Sequence, residues 1–415
     1  MRILILGINY APELTGIGKY TGEMAEWLAI NGHEVKIVTT PPYYPSWKIN
    51  KPYSPILYRK ETINNVEVRR CPIYVPSKPS GIKRILHLTS FAISNLPIMI
   101  SKISWKPDIV LTIEPTLLCA PTALIIAKFS NAKTWLHIQD YEIDAAFDLG
   151  ILKSKFLRYI VRNAEKWLMN KFDRISTISE KMVEKLSEKN IPKHKRVFFP
   201  NWVDTSHIFQ LSRPSTYRKT LNIDDDIVVA LYSGNMGEKQ GLEIIFEAAT
   251  LLASNKKLAF VMCGQGATYN KFSKNAAEYL NIKWIPLQPF QQLNELLGLA
   301  DIHLLPQRSE VKDLLTPSKL TGMLASGRPI VATAREGTHV HSVVSKYGKV
   351  VDHGDAKAFA DAIESLATDN TLSKELGRSA RTYAIEHLGS DKILSDFNHN
   401  LVSILQTENY PEEKS

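Results

Sequence analysis

The stretch T-P-S-K-L-T-G-M-L-A-S-G-R-P-I-V-A-T, Thr316 to Thr333, reads as a loop, a helix of about ten residues, a tight turn at Gly327 and a buried strand. Ser318 is the expected N-cap, with Pro317 before it as punctuation. The first N–H groups of such a helix point outward unpaired and carry partial positive charge. Lys319 adds a full charge at the same place, and Leu320 follows it into the helix. The combination is a seat for an anion, and at a helix N-terminus the usual anion is phosphate. An ordinary capped helix with a surface lysine is the competing reading.

Working outward, the second half is a series of such units. Ile227–Gly234 is a strand, Gly241–Ser254 a helix, Leu258–Gly264 and Ile282–Leu287 strands, and Gln291–Leu299 a helix. D-I-H-L-L-P and R-P-I-V-A-T complete a doubly wound sheet. The first half has the same alternation. Arg2–Gly7 is a strand, Lys19–Asn31 a helix, and G-H-E-V-K-I-V-T a turn and second strand; this βαβ unit implies a parallel sheet. Further strands are expected at Asp108–Ile113, Lys133–Ile138, Arg174–Ile178 and Arg196–Phe199. With 415 residues, two domains are expected. The polar stretch Thr205–Asp226 separates them, giving residues 1–204, 205–385 and a C-terminal helix and tail over 386–415 that packs back toward the first domain.

Ligands of such sheets bind beyond the carboxyl ends of the strands, which sorts the motifs. The loop G-I-N-Y-A-P-E-L-T-G-I-G-K-Y follows the first strand, and Gly16 and Gly18 let backbone approach a ligand. Its spacing is not G-x-G-x-x-G, and no acidic residue ends the second strand, so a dinucleotide fold is disfavoured. Y-S-G-N-M-G-E-K-Q-G-L-E places Asn235, Lys239 and the Gly237 backbone at the corresponding edge of the second half. Lys239 and Lys319 would grip one diphosphate from two loops, with Gly264 closing its strand at the same edge. W-L-H-I-Q-D-Y-E-I-D sets His137, Asp140 and Glu142 just past a strand of the first half, where His137 would bond a sugar hydroxyl or move a proton, or merely cap its strand.

Asp224–Asp226 precedes its strand, at the wrong edge, and no His/Cys cluster offers a metal site. Cys71, Cys119 and Cys263 form no disulfide framework, which suits a reducing compartment. Residues 1–200 hold 29 Lys and Arg against 17 Asp and Glu, a surplus of 12, while the whole chain carries +9. The first half is therefore the half expected to meet a polyanion or an anionic membrane. Residues 82–105 are apolar with basic ends. Ile85–Ser101 is too short and too interrupted for a span, and an interfacial helix with Lys83, Arg84, Lys102 and Trp105 near the headgroups is expected; a core helix is the alternative.

P-E-L-T-G-I-G-K-Y…G-H-E-V-K-I-V-T, F-P-N-W-V-D, S-G-N-M-G-E-K-Q-G-L-E, P-S-K-L-T-G-M-L-A-S-G-R-P-I-V and V-V-D-H-G-D-A-K-A-F-A-D-A-I fall in order along nearly the whole chain. Together they resemble the retaining glycosyltransferases of family 4, and within it the fucosyltransferases of colanic acid and O-antigen assembly. The resemblance implies a GT-B fold, two doubly wound Rossmann-like α/β domains facing one cleft. It implies transfer of a sugar from a nucleoside-diphosphate sugar (GDP-fucose first, a UDP-N-acetylhexosamine next) to a lipid-linked saccharide. The enzyme would sit at the cytoplasmic face of the inner membrane, without metal or other cofactor and without nucleic acid. A nucleotide-sugar epimerase of the same fold and a nucleotide-sugar or polyanion-binding module are the alternatives.

By the resemblance, Gly16 approaches the donor diphosphate and His137 the donor sugar. Asn235 stands where the family has a phosphate-binding Arg. Gln240 occupies the slot of the family's Lys, with Lys239 one residue earlier. The family's two glutamates fall on Leu314 and Gly322; Asp313 or Glu310 would replace the first. The expected site is thus His137, Asp140 and Asp313 for catalysis. Gly16, Gly18, Asn235, Lys239, Gly264, Glu310, Pro317, Ser318, Lys319 and Leu320 hold the donor.

Overall fold

The computed structural model describes the chain except residues 14–15, 78–80, 116, 142–154, 238–239, 267, 270–271, 273–278, 310–317 and 407–415, and the side chains at 155 and 157. The expected Lys239, Glu310, Asp313 and Pro317 lie outside the described residues, as does Glu142. Two compact units divide the chain: Met1–Pro200 with Ile393–Ser415, and Asn201–Lys392.

The first unit is built on β1 (Arg2–Gly7), β2 (Glu34–Thr39), β3 (Arg59–Ile63), β4 (Val66–Arg70), β5 (Ile109–Glu114), β6 (Lys133–Ile138), β7 (Arg174–Thr177) and β8 (Arg196–Phe198). They lie in the order β3-β4-β2-β1-β5-β6-β7-β8, parallel except for the antiparallel pair β3–β4. The strands are near-continuous apolar runs because helices cover both faces: every residue of β5 is buried. The hairpin β3–β4 is absent from the sequence reading. Its strands are charged, R-K-E-T-I and V-E-V-R-R, and sit at the sheet edge. Its turn was nonetheless legible: Asn64 and Asn65 both take positive φ, the conformation a two-residue hairpin turn requires. The helix after β1 begins at Gly16, three residues before the expected start.

The second unit holds β9 (Val228–Asn235), β10 (Leu258–Gln265), β11 (Ile282–Ile285), β12 (Ile302–Leu305), β13 (Ile330–Thr333) and β14 (Gly348–Val351). Their order is β11-β10-β9-β12-β13-β14 and all neighbouring pairs are parallel. Numbered within the unit this is 3-2-1-4-5-6, the doubly wound order, and the direction of winding reverses between β9 and β12. One layer of core comes from helices Glu243–Leu251 and Ala356–Thr368, the other from Lys319–Ala325, His339–Tyr347 and Asn370–His387. The helix read as about ten residues is seven, Lys319–Ala325, closed by the turn at Gly327 with φ +69°. β14 was not foreseen; G-K-V-V is short and only half-buried.

The apolar stretch 82–105 is broken into helices Gly81–Ser94 and Leu96–Ser101 and a 3₁₀ turn Ile103–Trp105. Its inner face, Leu88, Phe91 and Met99, belongs to the core of the first unit. Two expected membrane contacts are corrected. Lys102 is buried and its ammonium bonds Glu67 at 2.6 Å. The Trp105 indole donates to Glu34 at 2.8 Å and lies under the Lys36 ammonium. Both residues are held by the acids of neighbouring strands; Lys102 is buried away from headgroups, and Trp105, half-buried, has its indole N–H already engaged. Among the described residues no helix is long and apolar enough to cross a membrane.

Candidate active site

The carboxyl edge of β9 and β12 is the crevice of the second unit. β9 ends in Tyr232-Ser233-Gly234-Asn235, and Gly234 pairs with Gly264 of β10. The strands approach so closely there that a Cβ on Gly264 would lie 1.9 Å from the Gly234 carbonyl oxygen. Gly264 is thus demanded by strand pairing, which accounts for the glycine without a ligand. A Cβ on Gly234 would meet the Lys319 stem at 3.4 Å, so Gly234 leaves the room in which that side chain lies.

Lys319 is the decisive residue. Its Nζ is buried and has no hydrogen-bond partner among the described residues, although the residue as a whole is only half-buried. This inverts the usual arrangement, in which a lysine buries its stem and keeps its charge in water. The ammonium sits 4.1 Å from the centroid of the Tyr232 ring. A cation–π contact offsets part of the lost hydration and does not replace a counter-ion. Burial pushes the ammonium down to about 7. Tyr232 is itself fixed, its hydroxyl donating to the Asn235 carbonyl at 2.5 Å. A desolvated cation at the switch point of a doubly wound sheet is a group prepared for an anion.

The surrounding loops are locked to one another. Gln240, in the slot of the family's Lys, accepts the Gly237 N–H at 3.0 Å. The Gly237 N–H, expected to face a ligand, is therefore already used. After β12, the Gln307 N–H and carbonyl both bond the Thr333 hydroxyl at 2.8 Å. Asn235 is exposed at the strand end, as expected for a ligand contact. Ser318 precedes the helix but has α-helical φ and ψ, and its side chain makes no capping bond. Leu320 is 2% exposed and its side chain packs with Met323 and Leu324, so its part in a helix-N-terminus seat would be through its backbone. Gly322, in the slot of the family's second glutamate, would bring a Cβ within 3.3 Å of Leu297 Cδ1. Close helix packing has taken the place of that acid.

In the first unit, the loop after β1 is organised by a residue the sequence reading passed over. Glu13 is 5% exposed; its Oε1 accepts the Tyr43 and Tyr44 N–H groups at 2.9 Å, and its Oε2 accepts the Asn9 amide at 2.9 Å. Burial pushes its carboxyl up, opposed by those three donors. Arg70, buried, reaches the carbonyls of Thr40 at 2.7 Å and Ala11 at 2.6 Å and pairs with Glu61. Gly18 is required by this packing, since a Cβ there would fall 2.5 Å from Glu13 Oε2. Gly16 has φ +61° and only ordinary contact with Tyr44, so its freedom serves the turn into the helix.

His137 ends in a saturated network. Nδ1 lies 2.8 Å from Ser176 Oγ and Nε2 3.0 Å from the Gln139 amide nitrogen. The amide donates, so Nε2 accepts and Nδ1–H donates to Ser176. Burial pushes the ring down to about 3, so it is neutral at physiological pH. Proton transfer by His137 is corrected on this ground: neither nitrogen is free, and the ring orients Gln139. Asp140 follows in a half-buried bend. Asp224–Asp226 lie before β9, with Asp226 paired to Lys257.

Residues 15–202 match the Glycosyl transferase 4-like domain, and residues 215–383 match the family described as Glycosyl transferases group 1. A relative from Escherichia coli (strain K12), provisionally named colanic acid biosynthesis glycosyl transferase WcaI, is 39% identical over 97% of this chain and 100% of its own length. The chain is a family 4 glycosyltransferase. Its fold is that of solved GT-B enzymes. Sucrose-phosphate synthase from Thermosynechococcus elongatus superposes with a TM-score of 0.73 at 15% identity, covering 98% of this chain and 99% of that one. Anabaena HepE, solved in complex with UDP-glucose, superposes with a TM-score of 0.68 at 12% identity, covering 97% and 100%. The transferase therefore carries its locked switch-point crevice, with Lys319 at the centre, on the fold that the sequence resemblance implied. Tyr232 and Glu13 were the residues missed. Both stood inside quoted motifs, and nothing in the spacing distinguishes an aromatic under a lysine from an aromatic in a strand.

Proposed function

We propose that this glycosyltransferase moves a sugar from a nucleoside-diphosphate sugar to a lipid-linked saccharide during assembly of a colanic acid-like exopolysaccharide or an O-antigen. The observation that carries the donor class is the buried Lys319 ammonium beside Gly234, which has no hydrogen-bond partner among the described residues. A diphosphate supplies the counter-charge this group lacks, and the charge on that diphosphate grows as the glycosidic bond breaks. An interaction stronger in the transition state than in the ground state is what accelerates the step. Same-face attack, with a diphosphate oxygen drawing the proton from the acceptor hydroxyl, gives retention without a protein base. The saturated His137 agrees with that assignment. In this reading Asn235, Lys239, Glu310, Pro317 and Ser318 complete the donor seat of the second unit, and Asp313 lies beside the sugar.

The pathway is supported by the name of the Escherichia coli relative, and the nucleotide class by the UDP-glucose complex of HepE. GDP-fucose is the first donor to try and a UDP-N-acetylhexosamine the second. The reaction would take place at the cytoplasmic face of the inner membrane, where a polyprenyl-type acceptor is confined; all three thiols are free and buried. Purified enzyme should be offered a panel of GDP- and UDP-sugars with a lipid-linked acceptor, reading free nucleoside diphosphate and glycosylated lipid. Nucleotide release with sugar on the lipid supports the proposal. Sugar returned as an epimer still joined to its nucleotide would replace it with the epimerase reading. No turnover and no binding across the panel would leave the donor assignment without support.

A further inference from the structure

Among the described residues, 25 large apolar side chains are exposed, and 20 of them belong to the first unit. The helix Lys155–Met169, which connects β6 to β7, shows why. Its inward side carries Met169, fully buried, and Glu165, 2% exposed, which accepts from the Lys189 ammonium at 2.6 Å. Its outward face is apolar. Phe156 is 74% exposed, Tyr159 68%, Ile160 45% and Trp167 63%. Positions 156, 160 and 167 follow the i, i+4, i+11 spacing of one helical stripe, with 159 at its edge. A helix ordinarily turns such a stripe inward; here Glu165 and Met169 are the buried positions and the stripe faces out. The neighbouring crossover helix Ala120–Ser130 connects β5 to β6. Strand order advances in one direction from β5 through β7, so right-handed connections put both helices on the same face of the sheet. That neighbour exposes Ile125 and Phe129.

We infer that this face is a membrane-docking surface, and that its partner is an anionic bilayer into which Phe156, Tyr159, Ile160 and Trp167 insert. Charge selects the partner. Glu165, the one acid of the helix, is buried, while Lys166 follows Tyr159 by seven residues along the edge of the stripe and Lys171, just past the helix, is exposed. Lys171 lies 5.2 Å over the Trp167 ring. Aromatic side chains in the interface with basic residues at the headgroups are the pattern of a helix lying in a membrane surface. The surface is distinct from the 82–105 stretch in which Lys102 and Trp105 are engaged elsewhere. It deepens the lipid-acceptor reading by naming what brings the enzyme to its acceptor, and it rests on exposure and charge rather than on that reading.

The full-length protein should be sedimented with vesicles of equal parts phosphatidylcholine and phosphatidylglycerol, and with phosphatidylcholine alone. Wild type should pellet with the anionic vesicles, less so at high salt. The combined variant Phe156→Ser, Tyr159→Ser, Trp167→Ser should partition about tenfold less or weaker still. Brominated lipid should quench wild type more than Trp167→Phe. Lys166→Glu with Lys171→Glu should remove the preference for phosphatidylglycerol and leave the circular dichroism spectrum intact. Wild type that stays in the supernatant at low salt would overturn the inference, as would a serine variant that pellets like wild type. So would a concentration-dependent dimer abolished by the serine variant, which would assign the face to a second copy of the chain. Donor hydrolysis separates the two readings. A protein that binds vesicles but cleaves no nucleotide sugar loses the transfer proposal and keeps this one; the converse result does the reverse.

Discussion

At the scale of the residue, Lys319 sets a conflict between stability and function. The unfolded chain titrates this lysine near its ordinary 10.5, and the folded protein near 7. Between those values the unfolded state holds the extra proton, so the contribution of Lys319 to stability rises with pH across that window; below about pH 7 its full penalty is present. Lys319→Met, which keeps the stem and removes the charge, should therefore melt at a higher temperature than wild type at pH 7, with the difference shrinking toward pH 10. Calorimetry across that range tests it, and a methionine variant that melts lower at neutral pH would show the ammonium to be satisfied. Lys319→Ala should lose roughly 1.5–3 kcal/mol of transition-state stabilisation, about one to two decades in kcat/KM, while remaining folded. Wild-type affinity for a nucleoside diphosphate should weaken as pH rises above about 7, because the charged form is the one that binds; titration calorimetry of wild type and Lys319→Ala should find that dependence in wild type alone.

At the scale of the element, the carboxyl ends of β9 and β10 are held by paired glycines rather than by side chains. Gly264→Ala should cost about 3 kcal/mol, since its methyl would overlap a neighbouring carbonyl with backbone on both sides. Gly354, with φ +80° and nothing within 4 Å of a Cβ, provides the contrast: alanine there should cost only about 1 kcal/mol, from conformation alone. Urea midpoints of the two variants compare them directly, and equal costs would mean that the β9–β10 contact relaxes easily. The same distinction separates the glycines of the first unit. Gly16 answers to its φ and Gly18 to the buried Glu13 carboxylate. Strands were legible to within a residue or two because burial on both faces writes continuous apolar runs. The β3–β4 hairpin escaped because an edge strand tolerates charge on alternate positions.

At the scale of the whole molecule, the basic surplus of residues 1–200 coincides with the unit that exposes most of the large apolar side chains. Vesicle binding should accordingly be salt-sensitive, with nearby basic residues contributing about 1 kcal/mol each at an anionic surface. Donor chemistry belongs to the other unit and rests on lysine charge at its switch point. Transfer should therefore persist in EDTA and gain little from added magnesium or manganese; loss on chelation with rescue by either ion would place a metal where Lys319 is assigned. The two properties should be separable by mutation, since no residue serves both.

Read alone, the chain already determined its family, its two parallel-sheet domains and the position of Lys319, because motif order, apolar periodicity and turn residues are local properties. The tertiary structure decided what those residues do. It left the Lys319 ammonium without a hydrogen-bond partner among the described residues and saturated His137, both of which depend on atoms distant in sequence. It buried Lys102 against Glu67 and engaged the indole of the half-buried Trp105 with Glu34. It left the apolar stripe of Lys155–Met169 outward, with Met169 and Glu165 buried and Glu165 bonded to Lys189, 24 residues away. An amphipathic pattern specifies that a helix has two faces; which face meets solvent is settled only by the partner that the fold supplies.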